Sequence, residues 1–198
     1  MLGNAYERKL ARQGFKLIAG VDEVGRGPLA GPIVAAAVIL PLKFSLPGLN
    51  DSKKLTAKAR ERLYGEIKRI ALAIGLAMVN HRMIDRINIG RANLLVLKQA
   101  VKKLKIAPEY LMVDGGRNRI DDSIAQIGIS GGDRKCASIA AASIIAKVTR
   151  DRLMIKYHAK YPLYGFNKHM GYGTKEHLKK LKAHGPCPIH RRSFAPLN

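Results

Sequence analysis

Only 14 of the 198 residues are Asp or Glu, so a carboxylate inside an apolar stretch stands out. Asp22 and Glu23 end the run LIAGVDEV, and Asp114 ends YLMVD. Asp133 joins them, following Gly131-Gly132 at the entrance to a helical pattern. In open α/β sheets ligands gather at strand ends. Carboxylates converging there repel one another unless a cation sits among them, and hard oxygen donors suit Mg2+ or Mn2+. Two such ions about 4 Å apart can support in-line attack on a phosphodiester. Each acid has a plainer reading as well: Asp133 can cap a helix, and Asp114, before two glycines, can be a turn residue. A regular strand also points Asp22 and Glu23 to opposite faces. A shared site therefore requires the chain to bend, and Gly25 and Gly27 make a bend feasible.

Other spacings suit a polyanion. In Gly25-Arg26-Gly27 the glycines let the backbone approach a ligand closely, and successive amides can face a phosphate or hydroxyl. The alternative is a tight strand connection with a solvated arginine. No Gly-Lys-Ser/Thr follows, so this is not a nucleotide-binding P-loop. Ser52, Lys53 and Lys54 precede a helical pattern, where helix N-terminus, hydroxyl and charge can act on one phosphate. From 157 to 172, Tyr157, Tyr161, Tyr164, Phe166 and Tyr172 alternate with Lys160, Lys168 and His169. One ring of these five is expected to stack on a base or sugar and the others to pack. His184-x-x-Cys187-x-x-His190 resembles half of a zinc site, but no fourth ligand lies at convincing spacing.

The elements that must carry these residues follow from periodicity. Residues 17–24 and 33–40 read as strands, the second buried on both faces. A helix over 56–70, capped by Thr56, leads to a third strand over 72–79. These three lie close enough in sequence for an antiparallel meander. Beyond them come a helix over 93–104, strands over 110–113 and 123–129, and a long helix over 137–160 stopped by Pro162. Strands separated by helices favour parallel pairing. The expected fold is α/β: a mixed five-stranded sheet, antiparallel in its first three strands and then parallel, with helices on both faces. Residues 1–160 form the core and 161–198 a small basic segment with a helix over 174–183.

Composition narrows the partner. Lys and Arg number 36, giving a net charge of +22, which favours nucleic acid. No run of 18 apolar residues could span a bilayer, and Met1–Leu10 has no signal-peptide core. Two cysteines make no disulfide framework and fit a reducing cytoplasm.

In chain order, Val21-Asp22-Glu23-Val24-Gly25-Arg26-Gly27-Pro28 with Gly31-Pro32, Asp51-Ser52-Lys53-Lys54-Leu55, Asp114-Gly115, Asp133, the run Ala140 to Asp151, Gly171-Tyr172-Gly173-Thr174 and His190-Arg191-Arg192-Ser193-Phe194 resemble bacterial ribonuclease HII, the type 2 ribonucleases H. The likeness runs from about Ile18 to Phe194. It implies an RNase H-like core that cleaves RNA in RNA–DNA duplexes and at single ribonucleotides embedded in DNA, leaving 3′-hydroxyl and 5′-phosphate ends by two-metal chemistry. It puts the metal-site acids at Asp22, Glu23, Asp114 and Asp133, with Mg2+ or Mn2+. The ribonucleotide-reading turn falls on Gly25, Arg26 and Gly27. The sugar-stacking ring falls on Tyr172, with Tyr164 as fallback. Ser52, Lys53 and Lys54 fall on phosphate contacts, and Arg191 and Arg192 are expected to join them. One departure is visible: the family's usual His-Lys-Gly-Tyr reads His169-Met170-Gly171-Tyr172. A monomer is expected, with a DNA clamp protein as its recruiter. The rivals are a related nuclease such as a junction resolvase, and a basic RNA-binding protein. The second explains the charge but not acids at three strand ends.

Overall fold

The computed structural model describes residues 4–116 and 120–198; Met1–Gly3, the start of the stretch read above for a leader, lie outside them. Helix α1 (Ala5–Arg12) precedes strands β1 (Ile18–Val24) and β2 (Ile33–Ile39), helix α2 (Ala57–Ile70), strand β3 (Ala73–Val79) and helix α3 (His81–Lys102). Strands β4 (Tyr110–Asp114) and β5 (Ala125–Ile129) follow, then a 3-10 turn (Gly132–Arg134) and the long helix α4 (Ala137–Lys160). A second 3-10 turn (Pro162–Tyr164) leads to the short α5 (Phe166–His169) and to α6 (Lys175–His184). The strands form one sheet in the order β3-β2-β1-β4-β5. β1–β2 and β2–β3 are antiparallel, and β1–β4 and β4–β5 parallel.

The alternation of β2 divides the core. Ile33, Ala35, Ala37 and Ile39 pack with Val96, Leu97 and Ala100 of α3. Val34, Ala36 and Val38 pack with Leu63 and Ile67 of α2 and the alanine face of α4. That face approaches β1 so closely that a Cβ at Gly20 would meet the backbone of Ser138 and Ile139. Any side chain at position 20 would push α4 off the strand that carries the acids.

The sheet and three of its helices stand as the residue pattern indicates, and Thr56, Asn80 and Thr174 cap α2, α3 and α6. Three boundaries differ. α1 was not foreseen; its buried Glu7 accepts bonds from Ser138 N and Oγ, both 2.9 Å, and so caps α4, whose own Cys136 offers none. α3 begins at His81, not at 93, because it is two helices meeting at Asn88 (φ 63°), whose Oδ1 caps the second by accepting from Arg91 N. β5 starts at Ala125 rather than 123, since Ser123 is turned toward Asp121. Residues 161–198 share an apolar cluster with the body: Tyr164, Phe166, Leu181, Cys187 and Ile189 close over Ala30 and Met154. No helix among the described residues is long and apolar enough to cross a membrane.

Candidate active site

Parallel pairing brings the acids to one sheet end. Val21 lies beside Val113, so Asp22 and Asp114 occupy adjacent positions of the same parity on neighbouring strands. β1 stays paired through Val24, so the expected bend does not fall between Asp22 and Glu23. It comes at Gly25, whose φ of +98° excludes most side chains. Glu23 still feels Asp114 and Asp22 feels both, because all three sit at the rim. Burial first, then repulsion from Glu23 and Asp114, lifts the Asp22 carboxyl well above the usual range. Burial also raises Glu23, while Arg26 at 3.6 Å opposes the rise. Asp133 is raised by burial and by Asp51 and Asp114. It sits in the 3-10 turn before α4, not on a helix cap.

These carboxylates fit a hard divalent cation: buried or half-buried oxygens, withdrawn from water and set beside one another's charge, whose penalty a cation would relieve. Among the described residues, no three His, Cys, Asp or Glu side chains stand in a coordinating array. Two of the acids are engaged with backbone instead. Asp22 Oδ1 accepts from Glu23 N and Asp114 Oδ1 from Gly132 N, each at 2.7 Å.

Beside the acids opens a cavity of about 320 Å3 lined by Asp22, Glu23, Val24, Ser52, Lys53, Arg60, Ser143, Lys147 and Tyr172. Ser52 is buried and bonds Ser143 at 2.9 Å. Lys53 is exposed and stands 4.0 Å from Asp133, and Lys54 is exposed one residue on. The Tyr172 ring is 41% exposed and lies 3.8 Å from where a Cβ of Gly27 would be. The glycine turn and the ring thus face each other at the cavity mouth.

Two expected substrate contacts are corrected. Tyr164 is buried, stacked on Phe166 at 5.5 Å, and its hydroxyl donates to Gly185 O at 2.7 Å. It is a packing ring. Arg191 is wholly buried and donates to the carbonyls of Gly31 (2.9 Å), Arg26 (2.9 Å) and Gly25 (2.6 Å). It holds the glycine turn from behind instead of meeting phosphate. Arg150 does the same for the flanking loops, donating to Pro32, Met170 and Ala30. Burial, then Arg150, lowers Arg191 to about 9. Arg192 is exposed, its amide tied to Asp85. The zinc alternative also fails: His184 is exposed, while His190 spends its ring nitrogens on protein partners.

Sequence reasoning assigned no individual role to Asp51, Ser143 and Lys147, which lie in the motifs quoted above, and did not single out Arg60. Asp51 is buried, bonds Lys53 N and presses on Asp133. Ser143 and Lys147 are the polar i, i+4 pair interrupting the apolar face of α4, a spacing that puts both on one side.

The ribonuclease HII family model matches residues 19–197. The chain belongs to the ribonuclease HII family. Ribonuclease HII of Bacillus thuringiensis (strain Al Hakam) is 55% identical over 192 residues, covering 97% of this chain and 74% of that protein. Among solved structures, the ribonuclease H2 from Pyrococcus horikoshii OT3 aligns with TM-score 0.79 at 30% identity, over 91% of this chain and 94% of its own. The RNase HII of a PCNA:RNase HII complex from Archaeoglobus fulgidus aligns with TM-score 0.75 at 28% identity, over 92% and 96%. Membership in ribonuclease HII makes the chain a metal-dependent endoribonuclease acting on RNA–DNA hybrids. The junction-resolvase and RNA-binding readings give way to it.

Proposed function

We propose that the chain also hydrolyses the phosphodiester at single ribonucleotides embedded in duplex DNA, leaving 3′-hydroxyl and 5′-phosphate ends. Asp22, Glu23, Asp114 and Asp133 would hold Mg2+ or Mn2+. When bound, a pair of such ions supplies an activated water and charge to stabilise the departing 3′-oxygen. The protein does the rest. Telling RNA from DNA requires sensing the 2′-hydroxyl. Backbone groups of Gly25–Gly27 can meet that hydroxyl while the Tyr172 ring lies under the sugar, without reading base identity. Lys53, Lys54, Arg26 and Arg192 meet phosphates, which positions the duplex but carries no sequence information. Ser52, bonded to Ser143, steadies the segment that bears the lysines.

The observation that carries this reading is the apposition of Gly27 and the exposed Tyr172 ring beside Asp22 and Glu23. Met170 in place of the family's lysine belongs to the same picture. Its side chain packs toward the apolar cluster and its carbonyl accepts from Arg150, so the missing charge leaves the ring's support intact. Monomeric action in the cytoplasm, with recruitment by a DNA clamp, completes the proposal.

The test is cleavage of a DNA duplex carrying one ribonucleotide. Nicking at that position with Mg2+ or Mn2+ and none with chelator is expected. Intact strands under all conditions, or cleavage of branched DNA instead, would defeat the reading. Tyr172→Ala should slow this cleavage about ten- to hundredfold, the equivalent of ~1–3 kcal/mol of lost stacking, with duplex affinity far less changed.

A further inference from the structure

The Tyr172 ring is 41% exposed, and Arg150 lies 5.9 Å from its centroid. Its aim depends on its backbone, and that backbone is unusual. Met170 (φ 52°) and Gly171 (φ +84°) are both left-handed, a conformation that a methionine adopts only where its surroundings impose it. Three histidines surround the segment, and the catalytic reading uses none of them.

Their hydrogen bonds fix their protons from both ends. Cys187 N donates to His190 Nδ1 at 2.9 Å, so that nitrogen is an acceptor; Cys187 O lies farther, at 3.3 Å. A neutral His190 then carries its proton on Nε2, which stands 3.0 Å from His177 Nε2. At the other end, His177 Nδ1 is 2.8 Å from Tyr172 O. A carbonyl can only accept, so Nδ1 holds the His177 proton and Nε2 is free to accept from His190. His169 stacks on His177 at 4.5 Å. Its Nδ1 accepts from Gly171 N at 3.2 Å and its Nε2 donates to Tyr164 O at 2.8 Å. Burial keeps the buried pair neutral: His190 is lowered to about 4 and His177 is lowered as well.

We infer that His190, His177 and His169 are positioning residues for ribonucleotide recognition: a relay from the Cys187 amide through His190 and His177 grips the Tyr172 carbonyl, while His169 grips the Gly171 amide. The relay links the C-terminal segment to the ring that the proposed function sets under the ribose, and it rests on that reading of Tyr172. His177 and His190 touch neither substrate nor metal ligand. They act through the ring's orientation.

The experiment is a two-by-two cycle of His177→Leu and Tyr172→Ala on the full chain. It measures kcat and KM at a lone ribonucleotide in DNA, with melting curves to confirm folding. His177→Leu should lower kcat roughly tenfold, with KM and duplex affinity within about twofold, and should add nothing in the Tyr172→Ala background. His177→Asn, whose amide can still donate to the Tyr172 carbonyl, should recover most of the loss. His190→Gln, which keeps a donor near Nε2, serves as the second probe if the leucine variant does not fold, and should retain most of the activity while His190→Leu does not. Long-range 1H–15N spectra of the unmodified protein should show His190 protonated on Nε2 and His177 on Nδ1. A silent His177→Leu, losses that multiply in the double variant, or the opposite tautomers would overturn the relay while Tyr172→Ala still cripples cleavage. A silent Tyr172→Ala would instead sink the reading of the ring and the relay with it.

Discussion

A carboxylate that gives up water and gains like-charged neighbours holds its proton longer, and Asp22 does both beside Glu23 and Asp114. A folded-state pKa above the unfolded value means that the charged group opposes folding at neutral pH, and that the penalty is relieved as pH falls. Asp22→Asn keeps the shape, removes the charge and can still accept from Glu23 N. In chelator the variant should melt no lower than the parent, and above it if repulsion dominates. Added Mn2+ should raise the parent's Tm, since a ligand that binds only the folded state stabilises it, and should leave the variant's nearly unchanged. Activity should fall by more than the ~10–100-fold that loss of an outer-shell partner costs. Thermal melts with and without Mn2+, beside the cleavage assay, check all three. Near-full activity in the variant would remove Asp22 from the metal site.

At the scale of elements, the site depends on a turn held from outside itself. The loop between β1 and β2 presents Gly25–Gly27, yet its carbonyls are satisfied by Arg191, 160 to 166 residues away, and its flank by Arg150. Arg191→Lys keeps the charge but cannot reach three carbonyls with one ammonium. Each orphaned buried carbonyl costs about 1–3 kcal/mol, and a chain of this size loses roughly 2–4 °C of Tm per kcal/mol. The variant should melt several degrees lower and lose lone-ribonucleotide cleavage more than duplex affinity; an equal loss of both would make Arg191 a phosphate contact after all. This element also shows what the sequence could disclose. The strands, the Thr56 cap and the position of Asp22, Glu23 and Asp114 at strand ends were legible because period and residue type act locally: β2 reads as buried on both faces, and it is. Arg191 was not legible, because nothing in HRRSF tells a buried fork from a solvated one. α1 escaped for a related reason: its role is to lend Glu7 to Ser138, 131 residues away. Asn88 hid the first half of α3 by breaking its period.

Over the whole molecule, two fields compete with acidification. His190 and His177 have folded pKa values below the unfolded 6.5, so the stability they confer is complete above about pH 6.5 and is lost as pH falls toward 4. His169, Arg192 and His81 add to the cost of protonating them. Asp22, Glu23 and Asp133, with raised values, push the other way. Comparing the parent with His190→Gln by urea unfolding isolates the histidine share. The variant's relative stability should improve by up to ~3 kcal/mol between pH 6.5 and pH 4, at 1.36 kcal/mol per pKa unit. A constant difference across that range would mean that His190 titrates alike in the folded and unfolded chains, with no depressed value to lose.

The net charge of +22 favours duplexes but does not say where they lie, and the salt dependence of binding does. Removing the tail after Ala183 would be a poor probe, since Cys187, Ile189, His190 and Arg191 are buried and the cut would open the apolar cluster. Point changes at exposed cations are cleaner. Each phosphate contact contributes about 0.9 to the slope of log K against log salt. Lys53→Ala with Lys54→Ala should therefore flatten that slope by about 1.8 if both meet phosphate, and Arg192→Ala by about 0.9. Lys98→Ala, on α3, serves as the comparison for a charge not assigned to the duplex. If the site face alone holds the duplex, Lys98→Ala leaves the slope unchanged while the other variants flatten it. Equal, small effects from every lysine would mean that the charge acts as a diffuse field. Selectivity for the ribonucleotide would then rest wholly on the glycine turn and the Tyr172 ring, with no help from fixed phosphate contacts.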